Sequence, residues 1–214
     1  MKDTMHHYHA GDAPDMKGRK PKFTRGLFGD DEFRVSSTQS QATKHDIYLF
    51  GPIEDVIQFQ EAVEVLQEAG ENDLVVLHLS TPGGNCDATD TFLHYWHQCR
   101  ARKIVVATGG VHSAGSMILL AADEFQLSDN FNCLIHNGSF GAGGKTSDVA
   151  SQVAFEVPFM ANLMRKTYEG FLTEDELNAL VAGKDFWCDA PEFLRRVKLR
   201  GEFLGETVDN ASDD

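Results

Sequence analysis

Two loops in this sequence gather residue types that could catalyse acyl transfer. The segment Gly110-Val111-His112-Ser113-Ala114-Gly115-Ser116-Met117 sets two serines among small residues, just before an apolar run. A serine at the start of the helix that follows would stand near the positive end of its dipole. A bare serine hydroxyl is a poor nucleophile, so it needs a general base within hydrogen-bond reach, itself held by a third group. Two histidines are available: His112, four residues before Ser116, and His136, which ends the apolar run Cys133-Leu134-Ile135. Spacing alone does not choose between them. The second loop, Thr81-Pro82-Gly83-Gly84-Asn85, carries adjacent glycines that let a ligand approach backbone N–H groups closely.

Both loops follow strand-like runs. Residues 47–50 read as a strand ended by Gly51-Pro52, followed by a helix with Val56, Phe59, Ala62, Val63 and Leu66 on one face and Gly70 as its stop. Residues 74–80 are β-branched and apolar, as in a buried strand, and run straight into the double-glycine turn. A helix with Ala88, Phe92, Trp96 and Cys99 facing inward comes next, and residues 103–110 read as a strand closed by glycines. The run 117–122 reads as a helix, and 125–128 and 132–136 as short strands. After the glycine-rich stretch 137–145, a long helix is expected over 147–170, with Val149, Val153, Phe159, Leu163 and Tyr168 inward and a kink at Pro158. Thr173 with Glu176 forms a capping-box pattern, and Asp189 with Pro191 starts a further helix. This alternation predicts an α/β fold with a mainly parallel sheet and functional loops at the carboxyl ends of its strands.

The 214 residues, 42% hydrophobic, can bury a core without disulfides or metals. Cys86, Cys99, Cys133 and Cys188 stand singly and read as reduced thiols. The groups His6, His7, His9 and His94, His97 lack acidic or cysteine partners, so neither a metal nor another cofactor is expected. No apolar run reaches membrane-spanning length and the first residues lack a secretory pattern, which predicts a cytoplasmic protein without a membrane partner. Residues 1–45 hold 8 basic and 6 acidic side chains, so the net charge of −14 arises entirely from the remainder. A body that acidic repels phosphate backbones, which argues against nucleic acid as a partner. The expected organisation is a flexible extension over 1–44, one domain over 45–204 and an acidic tail over 205–214.

The segments DIYLFGPIED, LSTPGGN, GGVHSAGSM, LIHN and WCDAPE occur in the order and approximate spacing of the proteolytic subunit of the Clp protease, a resemblance covering about residues 45–200. It implies a ClpP/crotonase-like fold of repeated ββα units. Within that family a serine followed by methionine matches Ser116-Met117, and a histidine ending an apolar strand matches His136. The oxyanion hole carries over to the N–H groups of Gly84 and Met117. The twenty residues from Ser116 to His136 are fewer than the family usually has, implying a trimmed hairpin. An ungapped carry-over around Ala190-Pro191-Glu192 sets Val181 at the family's acid. A shifted register brings in Asp185, ahead of Asp189 and Asp148, and Asp189 also suits a helix cap.

The resemblance further implies a serine endopeptidase of a self-compartmentalising protease that hydrolyses unfolded polypeptide. It implies a homo-oligomer of heptameric or stacked double rings, with a contact through Phe155, Phe159 and Tyr168. A Clp-type AAA+ unfoldase is the implied partner, and any ATP use would be that partner's, since this chain has no GxxxxGK[ST] loop. Two alternatives remain beside it: a catalytically silent ring subunit, and a crotonase-type acyl-CoA enzyme, which would need no serine.

Overall fold

The β-branched runs and amphipathic segments alternate as the sequence predicts in the computed structural model, which describes residues 42–205. The expected extension over 1–44 and tail over 205–214 fall almost wholly outside those residues. Strand β1 (Lys44–Phe50) is followed by a 3-10 turn (Val56–Phe59) and α1 (Gln60–Glu68). Then come β2 (Leu74–Thr81), α2 (Cys86–Gln98) and β3 (Arg102–His112). Helix α3 (Ala114–Leu120) leads to β4 (Glu124–Leu127) and β5 (Asn132–Ile135). The chain closes with α4 (Thr146–Tyr168), α5 (Glu174–Val181), β6 (Phe186–Asp189) and α6 (Ala190–Leu204).

The six strands form one sheet in the order β1-β2-β3-β5-β6, with β4 also on β3. β3 is long enough to serve two neighbours on one edge: Ile104 to Ala107 pair with β4, and Gly110 to His112 pair with β5. All pairings are parallel except β5 with β6. Parallel strands are buried on both faces, and Val75, Leu77, Leu79, Val105 and Val111 are fully enclosed. Phe92 and Trp96 from α2 fill one side, and the Trp96 indole N–H donates to the Ala121 carbonyl at 2.9 Å.

Three differences from the sequence expectation matter for the site. Gly109 and Gly110 do not end β3, which continues to His112. Helix α3 begins at Ala114, three residues before the expected start. Strand β6 was not legible, because four residues between two helices give no period to read. Helix α4 also differs. Only Met164 and Tyr168 at its carboxyl end are buried, whereas Val153, Phe155, Val157 and Phe159 are exposed on both sides of Pro158.

Arg196 fixes the frame around β6. Its guanidinium donates to both carboxylate oxygens of Glu176 at 2.8 Å, to Glu192 at 2.6 Å and to the Phe171 carbonyl at 3.2 Å. Glu176 also closes the α5 capping box with Thr173. The Arg196 guanidinium holds the Glu176 carboxyl down at about 2, against an ordinary 4.5. A group depressed on folding contributes stability that is complete above its unfolded pKa and lost as pH falls through the folded one. The melting temperature should therefore decline between pH 4.5 and about 2. Glu176→Gln should flatten that decline, and an unchanged slope in a melting series would contradict the assignment.

Candidate active site

A single residue, Ser113, separates the end of β3 from the start of α3. The turn is too tight for ordinary dihedrals: Ser113 has φ 55° and ψ −125°, and it is the only non-glycine residue with positive φ among those described. Such a conformation costs about 1–3 kcal/mol and persists only where neighbours over-determine it. Here its N–H donates to the Leu134 carbonyl of β5 at 2.8 Å, and its own carbonyl accepts from the Ser116 N–H at 2.9 Å. Its side chain makes no capping bond and is partly exposed. A serine on a strained strand-to-helix turn is the arrangement that presents an Oγ to a substrate.

The double-glycine turn presses against this residue. Gly83 has φ 87°, and a Cβ there would lie 2.6 Å from the Ser113 Cβ and 3.0 Å from the Ala114 nitrogen, so only glycine fits. Gly83 donates to Thr81 Oγ1 at 3.0 Å. The Ile53 N–H reaches the Gly83 carbonyl at 2.9 Å and the Asn85 N–H reaches the Ile53 carbonyl at 2.8 Å. Bonds from the residues on either side of Gly84 turn its own N–H the opposite way, as in any parallel bridge. Neither that N–H nor the one of Ala114 has an acceptor among the described residues.

The β5–β6 register brings a base and an acid to the same end of the sheet. Ile135 pairs with Phe186 at the end of the ladder, and His136 and Asp185 are the next residues on the two chains. The Leu134 carbonyl faces β3, which makes Leu134–Trp187 a non-hydrogen-bonded pair of β5 and β6. His136 is partly exposed and Asp185 exposed. No hydrogen bond among the described residues joins His136 to Ser113 or Asp185. The three stand on adjoining strand ends without closing into a chain.

The remaining expected residues lie elsewhere. Ser116 is completely buried, and its hydroxyl donates to the Ser113 carbonyl at 2.6 Å and contacts the Tyr168 hydroxyl at 2.7 Å. It lies inside α3, so the structure gives no path from Ser116 Oγ to a substrate. Met117, expected to supply an oxyanion N–H, is the fourth residue of α3 and buried. His112 bonds Asn132 through Nε2 at 2.7 Å and packs edge-on to Trp187. Asp189 caps α6 by accepting from the Glu192 N–H at 3.0 Å. Asp148 lies in the first turn of α4, and Val181 ends α5. The Ala114 N–H at the start of α3 was not singled out in the sequence. The signal was present, since Ala114, Met117, Ile118 and Ala121 recur at helical spacing and start the helix directly after Ser113.

The parallel-rich α/β sheet thus carries a strained serine and unpaired backbone donors at its carboxyl edge. Residues 30–192 match the Clp protease family, and the chain belongs to it. It is 26% identical over 149 residues to the ATP-dependent Clp protease proteolytic subunit 3 of Rhizobium etli, covering 68% of this chain and 77% of that protein. It is 26% identical over 162 residues to the ATP-dependent Clp protease proteolytic subunit of Paracoccus denitrificans, covering 74% and 81%. The sheet agrees with the expected ClpP/crotonase-like fold.

Proposed function

We propose that this chain is a serine endopeptidase subunit of a Clp-type protease, with Ser113 as its nucleophile rather than Ser116. The observation that carries this reading is the strained Ser113 turn, hydrogen-bonded to the strand that His136 follows. In the reaction, His136 takes the Ser113 Oγ proton as the oxygen attacks a peptide carbonyl, then returns it to the leaving amine. Asp185 orients the imidazole and stabilises its protonated form. The N–H groups of Gly84 and Ala114 receive the oxyanion, each contributing about 3–4 kcal/mol as judged by removal of comparable donors. Apo sites often hold these bonds open and tighten them only around substrate, so the unclosed chain in the free subunit is compatible with catalysis.

The relatives' names, which call each a protease subunit, and the exposed, stacked Phe155–Phe159 pair on α4, with ring centroids 5.5 Å apart, support an oligomeric assembly. Tyr168, expected at the same contact, is buried within the subunit and is no part of that surface. Unfolded polypeptide is the substrate class, and a Clp-type AAA+ unfoldase would deliver it. The test incubates the full chain with a fluorogenic peptide and with an unfolded protein, with and without diisopropyl fluorophosphate. Hydrolysis blocked by the inhibitor is expected. An assembled ring that cleaves neither substrate would instead favour the silent-subunit reading.

A further inference from the structure

We propose that Tyr168 and Ser116 act as a positioning relay that holds the strained backbone at Ser113 in its reactive geometry. The inference rests on the reading of Ser113 as nucleophile. Ser116 Oγ carries one proton, and the Ser113 carbonyl can only accept, so the 2.6 Å contact uses that proton. The Tyr168 hydroxyl, 2.7 Å away, must then be the donor to Ser116 Oγ. The result is a directed sequence of two hydrogen bonds, from Tyr168 through Ser116 to the carbonyl of the nucleophile. Ser116 is 0% exposed and Tyr168 1% exposed, so water cannot substitute for either partner. Burial pushes the Tyr168 hydroxyl well above its ordinary range, which keeps it protonated and a donor at all working pH.

The far end of the relay is anchored. The Tyr168 carbonyl accepts from the N–H groups of Phe171 at 3.1 Å and Leu172 at 2.9 Å, and Arg200 donates to the neighbouring Thr167 carbonyl at 2.9 Å. An apolar pair, alanine and phenylalanine, would fill the same space without burying two hydroxyls, whose desolvation opposes folding. Their presence is explained by what they hold. The Ser113 carbonyl fixes the peptide that continues into Ala114 N–H, so the relay sets both the aim of the nucleophile and one oxyanion donor. Misplacement of such groups by about 1 Å lowers rates roughly 10²-fold.

The experiment compares the full chain with Tyr168→Phe, Ser116→Ala and the double variant. For each, the acylation rate by a fluorophosphonate probe, the modified residue, kcat and KM for a peptide, and the melting curve are measured. The expected result is adduct on Ser113 in every protein, with acylation and kcat about tenfold lower in each single variant and KM unchanged. The double variant should lose no more than either single one, because both break the same sequence of bonds. Wild-type acylation in Tyr168→Phe, with adduct still on Ser113, would overturn the relay while leaving the nucleophile intact. Losses that multiply in the double variant would also overturn it. Absence of adduct on Ser113 in the unaltered chain would remove the nucleophile reading and the relay with it.

Discussion

Replacing Ser113 by alanine is expected to lower kcat by about 10⁴- to 10⁶-fold, while Ser116→Ala keeps activity within roughly tenfold of the unaltered chain. The contrast follows from the surroundings of the two hydroxyls. Ser113 is partly exposed, makes no capping bond and lies against the turn that presents the Gly84 N–H. Ser116 is enclosed in α3, and its proton is committed to a carbonyl 2.6 Å away. An acyl carbon cannot reach Ser116 Oγ without unwinding the first turn of the helix. Steady-state peptide hydrolysis decides the matter once melting curves show that both variants fold. A Ser113→Ala enzyme within tenfold of the unaltered rate would refute the assignment.

Asp185→Asn should lower kcat by about 10⁴-fold at neutral pH with the fold intact, because an amide favours the wrong imidazole tautomer. The ladder end at Ile135 and Phe186, which leaves His136 and Asp185 as the next residues on the two chains, is the basis for this expectation. Asp189 is the natural control. Its carboxylate accepts from the Glu192 N–H at 3.0 Å to cap α6, a task that asparagine performs equally well. Asp189→Asn should therefore keep both activity and melting temperature. A larger loss of kcat in Asp189→Asn than in Asp185→Asn would contradict the pairing of His136 with Asp185.

The strands were legible wherever burial on both faces leaves an apolar, β-branched run, as in β2 and the first half of β3. The capping box at Thr173 and Glu176 and the Asp189 cap were legible because those side chains bond locally, three residues along the chain. The site was harder, and one boundary explains why. Starting the helix at Met117 instead of Ala114 moves the helix-start position from Ser113 to Ser116, in line with the match of Ser116-Met117 to the family's serine-methionine pair. Helix ends are the least determined part of a periodic pattern, and Ala-Gly-Ser is small enough to read as loop. The inward face expected for α4 failed for a different reason. Exposed apolar residues on a helix can share the period of buried ones, so sequence alone does not separate Phe159 from Tyr168. His136 was singled out by type and strand end and Asp185 through the family resemblance, whereas the antiparallel register of β6, which follows Asp185, is revealed by no local signal.

The most direct test of the account is to react the assembled full chain with a fluorophosphonate probe, digest it and map the adduct by tandem mass spectrometry. The fragment from Gly110 to Met117 contains both serines, and its fragment ions distinguish them. The account predicts a single adduct on Ser113 that forms far more slowly in Asp185→Asn. An adduct on Ser116, or none on either serine, would contradict it.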